Sequence, residues 1–559
     1  MTQPREPVVE LERRYGRRGT DILALLREAR TERGQITGAD VDAVAANVGL
    51  PRAHVYGTAT FFEELGVHRR GRRHVQVCAG TACFAASRGR HIPAVERELG
   101  LSRGECSADG ATSLQPVYCL GYCYGGPAAL DGESACAGPD LVDQLAGRAP
   151  RRDPEIPAYS GADRPVLLAG ILGGETSWRV WPEVVRAGDR ARIFAEVGAS
   201  QLRGRGGAGF PVADKWTAAA AAPTPGPRYL VINGDEGDPG SFIDRLLLQR
   251  DPHRVLEGAA LAGFAARATA AYVYVRAEYP AARDRMRAAV AEARAAGHLG
   301  KDIHGSGLDF DVEIVEGAGS YVAGEETSLI HSMEGLRGGT LARPPFPTTS
   351  GLFGYPTVVN NVESVSTVPW IVEHGGATYA ALGSEGEHGQ RLVCVNATFT
   401  RPGVYEVPLG IPLRRIVEDL AGGLAEGRQL RSLQVGGPLG GFLGPDQLDL
   451  PMTGSALASA GVALGHASLL GFDDTIPGRA VLKHLWRFAA AESCGTCSPC
   501  RVGSRRGLEY SRRGDLDALM ELCQTLKLTS LCAFGPGVAQ AVRSILRVYG
   551  DEFWMEGRS

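Results

Sequence analysis

Apolar positions recur at three- and four-residue intervals through residues 20–66. Ile22, Leu25, Leu26 and Ala29 follow Thr20-Asp21, Val41, Val44 and Ala45 follow Thr37 and Asp40, and a further segment begins at Pro51. This spacing predicts three short helices: one capped at Thr20-Asp21, one opened by a capping box, and one with proline in its first turn. The period then falls to two at "RHVQV" (73–77) and "LQPVYC" (114–119), with a helical stretch at "AVERELG" between. Two strands around a helix make a small α/β domain over 67–148, behind the helical lead-in 1–66. Pro150, Pro154, Pro157 and Pro165 mark 149–165 as a linker. Over 166–380 the strand-like runs "RYLVIN", "AYVYV" and "FDVEIVE" alternate with alanine-rich helices. Residues 381–465 are strand-rich and broken by glycine, with a helix at "LRRIVEDL", and 466–559 returns to helix around a cysteine cluster. The predicted fold class is thus a multidomain α/β protein with a helical C-terminal domain.

Composition narrows the function classes. A chain of 559 residues exceeds what one hydrophobic core supports. Its 44% apolar and 22% charged residues are those of a globular protein, and a net charge of −4 offers no basic surface for nucleic acid. No apolar run reaches the roughly 18 residues a membrane span needs, so no membrane insertion is expected. The N-terminal "MTQPREPVVELERRYGRRG" has no apolar signal core, which makes the cytoplasm the expected location. Lysine occurs only at Lys215, Lys301, Lys483 and Lys527, against many arginines.

Twelve cysteines in a reducing compartment point to metal before disulfide. "ESCGTCSPCR" sets Cys494, Cys497 and Cys500 two residues apart, a spacing that wraps one face of a four-iron cubane. Cys532 in "TSLCAFG" is the preferred fourth ligand, with Cys523 its competitor. Cys78 and Cys83, then Cys119 and Cys123, form two pairs, as a two-iron cluster requires. Structural zinc remains the alternative at both places. Cys106, Cys136 and Cys394 stand alone and read as structural thiols.

The stretch "SQLRGRGGAGFPVADKW" (200–216) spells G-x-G-x-x-G at Gly204, Gly206 and Gly209. A Rossmann fingerprint opens a helix directly after a strand, yet "ARIFAEVGASQLR" ahead of this one reads as a helix and its end. Exposed amides and the charges of Arg203, Arg205 and Lys215 still suit a phosphate. Acid-rich glycine turns follow at "NGDEGDPGSF" (233–242) and "GAGSYVAGEETS" (317–328).

Taken in order, "LRGRGGAGFP", "NGDEGDPG", "GAGSYVAGEET", "RPPFPTTSGLFGYPTVVNNVE" and "ESCGTCSPCR" resemble the flavin-bearing, NADH-oxidising subunit of respiratory complex I over 165–559. Residues 20–148, with "VYGTATFF" in the lead-in, resemble its thioredoxin-like two-iron partner, fused to the front. The resemblance implies a thioredoxin-like [2Fe-2S] domain, an FMN- and NADH-binding domain that is not Rossmann, a β-grasp-like insert and a helical [4Fe-4S] domain. It places FMN on Gly204, Arg205, Gly206, Lys215, Asn233, Asp235, Glu236, Tyr321, Gly324, Glu325, Asn360 and Asn361. It places NADH on Phe210, Lys215, Glu326 and Phe346, the aromatics flanking adenine. Hydride transfer to the flavin then needs no protein acid or base. Asp238 stands where relatives often have glutamate, Arg343 where they have lysine, and Ala218 where some place an aromatic.

Fused versions of this pair serve as diaphorase subunits of formate dehydrogenases and NAD-reducing hydrogenases. The fusion, with "NGDEG" in place of "NADEG", implies a formate dehydrogenase whose large subunit carries Mo/W-pterin and further iron–sulfur clusters. Hydrogenase subunits, or a fused NADH–quinone oxidoreductase, are the alternative setting. No sequence feature marks a site for formate or hydrogen oxidation on this chain.

Overall fold

The computed structural model describes residues 21–66, 69–384 and 386–554. Helices Ile22–Arg33, Gly38–Val48 and Arg52–Phe61 form the lead-in. The Thr37–Asp40 capping box is present: Thr37 Oγ1 accepts from Asp40 N at 3.3 Å and Asp40 Oδ2 accepts from Thr37 N at 2.8 Å. Asp21 occupies the first N-cap without a side-chain bond, Thr20 lies outside the described residues, and Pro51 is an N-cap rather than a first-turn residue. The N-terminal segment read for a signal core also lies outside them.

Strands β1 (Arg73–Cys78), β2 (Thr112–Val117), β3 (Ala128–Asp131) and β4 (Ser134–Ala137) form a sheet in the order β2-β1-β3-β4, with β1 and β2 parallel. Helix Thr81–Ser87 follows β1, so that Cys78 ends a strand and Cys83 sits one helical turn on.

The stretch read as a linker holds a strand of its own. Strand β5 (Ala158–Ser160) joins a distant sheet, and the chain just before it is fastened to the domain of the first sheet. Tyr122 Oη donates to Asp153 Oδ1 at 2.9 Å and Tyr124 Oη to the Pro154 carbonyl at 2.6 Å. Its prolines gave the segment the look of a spacer, while a three-residue strand is too short for an alternation to show.

Strands β6 (Tyr229–Gly234), β7 (Ala270–Val275), β8 (Val312–Glu316) and β9 (Thr357–Asn361) are all parallel, in the order β8-β7-β6-β9. Helices cover the sheet, which explains the nearly continuous apolar runs of β6 and β7. Strands β10 (Gln390–Val395), β11 (Gly403–Pro408), β12 (Leu430–Val435), β13 (Gly441–Leu443) and β14 (Ser468–Asp473) complete the last sheet with β5, in the order β13-β12-β14-β10-β11-β5. The domain boundary drawn at 465/466 therefore falls ahead of an interior strand of that sheet. The helix expected at "LRRIVEDL" is wound as a π-helix over Arg415–Leu420. Helices Gly478–Glu492, Ser498–Arg513, Leu516–Thr529 and Phe534–Val548 frame the C-terminal cysteines: Cys500 and Cys523 lie within helices, and Cys494, Cys497 and Cys532 in the turns between them. No helix among the described residues is long and apolar enough to cross a membrane.

Candidate functional site

In the parallel sheet the strand order reverses between β6 and β9, and such a reversal opens a crevice at the strands' carboxyl ends. Asn233, Asp235 and Glu236 lie at the end of β6, and Asn360 and Asn361 at the end of β9. The glycine loop meets this crevice from the side. It runs between helices Arg190–Ala199 and Val212–Ala220, with no strand directly before it, so it is not the Rossmann turn. A Cβ on Gly206 would sit 3.1 Å from that of Asn361, and one on Gly324 would sit 3.0 Å from the Asp235 carbonyl. Both glycines thus keep the cradle walls close together.

Many of the expected flavin residues hold this cradle. Asn233 Nδ2 donates to the Gly324 carbonyl at 2.8 Å, and Asn360 Oδ1 accepts from Trp216 Nε1 at 2.8 Å. Glu325 caps helix Glu326–Met333 through the amides of Thr327 and Ser328. Glu236 caps helix Ile243–Arg250, with its oxygens taken by the amides of Ile243, Asp244 and Arg245. Tyr321 Oη donates to Asp238 Oδ1 at 2.7 Å, so the shorter aspartate at 238 is within reach of its partner. Asp235 differs from the rest: its Oδ2 is sealed from solvent and has no partner, and burial pushes its pKa to about 8. A carboxyl at the end of β6 that burial keeps largely protonated at neutral pH, with one oxygen unpaired, fits a ligand with a hydrogen-bonding edge, as a flavin ring has.

The charges are arranged otherwise than the sequence suggested. The Arg205 guanidinium does not serve the glycine loop, because its Nη2 donates to Tyr379 Oη at 3.0 Å and to the Gln390 carbonyl at 3.0 Å. Only its backbone stays in the loop, with Arg205 N donating to Ser364 Oγ at 2.9 Å. Lys215 Nζ reaches Glu326 Oε2 and the Val359 carbonyl, both at 3.0 Å. Arg343 Nη1 takes Glu326 Oε1 at 2.7 Å, so the arginine that replaces lysine still completes the pair. Phe210 and Phe346 are 53% and 54% exposed, so both rings are open to a ligand.

His466 was not anticipated. It lies on the loop before β14, with Nδ1 3.4 Å from Glu236 Oε1 and Nε2 3.6 Å from Asp244 Oδ1. The two carboxylates face opposite ring nitrogens, so the three groups form a buried charged relay. The adjoining loop depends on Gly465 at φ +53°, whose Cβ would lie 2.5 Å from the Gly436 carbonyl. The "GGPLGG" turn is thereby pressed against this loop, and Gly437 abuts Asp238, which brings that motif to the cofactor cleft. Burial alone would lower the pKa of His466, but Asp244, Glu236 and Glu363 outweigh it and raise it to about 9. A raised folded-state value gives stability that is complete below the ordinary 6.5 and is lost as pH climbs through about 9. The melting-temperature advantage of the wild type over His466→Gln is accordingly expected to shrink between those two pH values. A difference that stays constant across that range would contradict the charged relay.

The thiols converge as two sets. Cys119 and Cys123 sulfurs lie 3.6 Å apart, and all four N-terminal thiols are buried and influence one another. The bond from Cys83, helped by nearby amides, lowers Cys78 to about 7, and the bond from Cys123 lowers Cys119. One sulfur of each pair is thus shifted toward the thiolate, the form a metal takes. In the C-terminal set, burial pushes Cys500 to about 11 with further contributions from Cys497 and Cys532, and Cys494 and Cys497 act in turn on Cys532. Cys523 is pushed to about 12 by burial and senses Arg543 alone. The structure therefore brings Cys532, and not Cys523, to the trio. Cys106, Cys136 and Cys394 join neither set, and Cys394 Sγ accepts from Phe242 N at 3.1 Å.

An aromatic cluster spans the three places. Phe488 lies 5.5 Å from Tyr118, next to Cys119, and 5.0 Å from Tyr321 in the cleft. Tyr321 in turn lies 5.7 Å from Phe534, two residues beyond Cys532.

Comparison with known proteins agrees with this geometry. Residues 197–370 match the Nuo51 FMN-binding domain, 8–137 the thioredoxin-like [2Fe-2S] ferredoxin, and 480–556 the NADH-ubiquinone oxidoreductase-F iron-sulfur binding region. The fold and site thus define an NADH-oxidising flavoprotein with two iron–sulfur domains. The chain belongs to the family of NADH-quinone oxidoreductase F subunits. The NADH-quinone oxidoreductase F 2 subunit of Rhizobium meliloti is 41% identical over 63% of this chain and 86% of its own length. The HndC subunit of the NADP-reducing hydrogenase of Solidesulfovibrio fructosivorans is 40% identical over 65% of this chain and 75% of its own. The crystal structure of an NAD+-reducing [NiFe]-hydrogenase in the H2-reduced state matches with a TM-score of 0.85 at 29% identity, over 96% of this chain and 93% of that one. The protein is an oxidoreductase subunit of the NADH dehydrogenase type, with FMN, NAD(H), [2Fe-2S] and [4Fe-4S] as cofactors. FMN, when bound, supplies the exchange between hydride and single electrons.

Proposed function

We propose that this chain is the diaphorase subunit of an NAD-reducing enzyme whose large partner, a molybdenum- or tungsten-pterin formate dehydrogenase with further iron–sulfur clusters, delivers electrons to it. The observation that carries the diaphorase reading is the convergence of one cleft and two thiol sets within a single fused chain. Formate as the electron source is supported by the fusion together with "NGDEG" at 233–237. A hydrogenase partner is the second reading, favoured by the likeness to the NAD+-reducing [NiFe]-hydrogenase over nearly the whole chain.

Under either reading the residues divide the work alike. Lys215, Glu326 and Arg343 form the charged rim against which the dinucleotide is oriented, and Phe210 and Phe346 cover its base. Asn233, Asp235, Asn360 and Asn361 line the cradle, and the glycine loop closes it. Cys78, Cys83, Cys119 and Cys123 ligate the two-iron cluster, and Cys494, Cys497, Cys500 and Cys532 the four-iron cluster. The test is an anoxic affinity purification of the tagged chain from its native host, with metals counted in the co-purifying partner. Molybdenum or tungsten in a large partner supports the formate reading, nickel replaces it with the hydrogenase reading, and a quinone-reducing assembly with neither metal overturns both.

A further inference from the structure

Two buried arginines of the flavin half reach across to the loop that carries Cys119 and Cys123. Arg276 directly follows β7 and Arg245 lies in helix Ile243–Arg250, and they are 5% and 3% exposed. Arg276 Nη2 donates to the Cys119 carbonyl at 3.1 Å, and Arg245 Nη1 donates to the Gly121 carbonyl at 3.0 Å. The Arg245 guanidinium also lies 3.9 Å from the centre of the Tyr122 ring. Residues 119, 121 and 122 thus each meet a cation that the rear half supplies.

The loop they hold is not relaxed. Cys119 has φ +90°, a region that residues with a side chain rarely adopt, and Gly121 has φ +74°. A Cβ on Gly121 would lie 2.6 Å from the Tyr279 ring, so the loop is pressed against the rear half along this stretch. Such backbone conformations persist where the surroundings over-determine them, and they gather at working sites. The arginine bonds supply that determination, and they also bring charge. Arg276 is paired with Glu278, Nε to Oε2 at 3.0 Å and Nη2 to Oε1 at 2.9 Å. The carboxylate takes one edge of the fork. The remaining hydrogens turn away from it, to the carbonyls of Cys119 and, through Nη1, of Glu236. The positive side of the pair therefore faces the thiol loop. Arg245 has the weaker counter-charge, since Asp153 stands 3.7 Å off and is exposed to solvent.

We propose that Arg276 and Arg245 set the reduction potential of the two-iron cluster, holding it higher than its thiolates alone would. One electron added to such a cluster adds one negative charge, and a fixed buried cation stabilises that state over the oxidised one. Both are positioning residues, acting through their charge and through the backbone of the cysteine loop. The front half then contributes the ligands, and the rear half the charge that tunes them. This inference rests on Cys78, Cys83, Cys119 and Cys123 being the cluster's ligands and is independent of which catalytic partner the chain serves.

The experiment poises full-length, anoxically purified protein at a series of potentials and follows both clusters by EPR. Arg276→Met combined with Glu278→Gln removes the cation without leaving a buried carboxylate unpaired. In that variant the ratio of reduced to oxidised two-iron cluster at a given potential is expected to fall about tenfold, a midpoint lower by about 59 mV. Arg276→Lys keeps the charge and is expected to stay within about threefold of the wild type. Arg245→Gln is expected to lower the same ratio at least about threefold. The four-iron midpoint should hold in all three variants, which separates tuning from a general loosening of the fold. A two-iron midpoint unmoved in the double variant overturns the proposal for Arg276, and one unmoved in Arg245→Gln overturns it for Arg245. Equal falls at both clusters overturn it for both. If the double variant does not fold, Arg276→Gln is titrated in its place against the same expectation. A wild type with no two-iron EPR signal would overturn the ligand assignment, and this inference with it, whereas a two-iron signal that no variant moves overturns this inference alone.

Discussion

Replacing Cys532 by alanine is expected to strip the C-terminal cluster while leaving the N-terminal one in place. Cys523→Ala is expected to leave both. The two cysteines are nine residues apart and both are shielded, so burial does not separate them. Their neighbours do: Cys532 lies among thiols that affect its ionisation, whereas Cys523 faces the interior of its helix with an arginine for company. A cubane missing one of four thiolates has an iron open to solvent and to oxygen. Aerobically purified Cys532→Ala should therefore contain about four fewer irons per chain, with the reduced four-iron signal gone from its EPR spectrum. Cys523→Ala should match the wild type in both measurements, apart from about 1 kcal/mol of stability lost with a buried sulfur. If the two variants exchange these phenotypes, the ligand assignment changes hands.

Glu326→Gln is expected to raise KM for NADH at least about tenfold while lowering kcat less than about threefold. The carboxylate joins Lys215 on one oxygen and Arg343 on the other, and is only 17% exposed. Burial works against its charge, but Lys215 and Arg343 prevail and hold it below the usual carboxylate range. A glutamine keeps the shape, yet leaves two cations facing the cleft with one formal charge fewer between them. Their positions are then no longer fixed, which weakens dinucleotide binding in ground and transition states alike and so raises KM. Because a depressed pKa keeps the carboxylate ionised, the wild-type KM should stay level from pH 8 down to about pH 5 and rise only below that. Equal falls in kcat and kcat/KM in Glu326→Gln would instead place its contribution in the transition state alone.

The sequence disclosed the elements with a strong period and the ligands with a fixed spacing. Strands β6, β7 and β8 and the Thr37 capping box are direct readings of local pattern, and so are the two cysteine sets as groups. What escaped depends on tertiary approach. Arg205 sits inside the glycine motif and carries the right charge, but only the folded chain shows its guanidinium turned toward Tyr379. His466 stands in loop text without any motif, and its importance comes from the acids that surround it. The choice between Cys523 and Cys532 is open in the sequence for the same reason, since spacing does not report which sulfur the folded chain sets beside the trio.

The clamped segment between the front and rear halves decides where this chain can be cut and rejoined. A chimera that exchanges residues 1–165 as a module would pull an edge strand out of the recipient's rear sheet, because Ala158–Ser160 pairs with Val404–Glu406. A seam placed between the Pro154 anchor and Ala158 keeps that strand with the sheet it completes and the tyrosine contacts with the front half. Two-gene arrangements of such a protein would then be expected to carry the short strand at the head of the flavoprotein, not at the tail of its smaller companion.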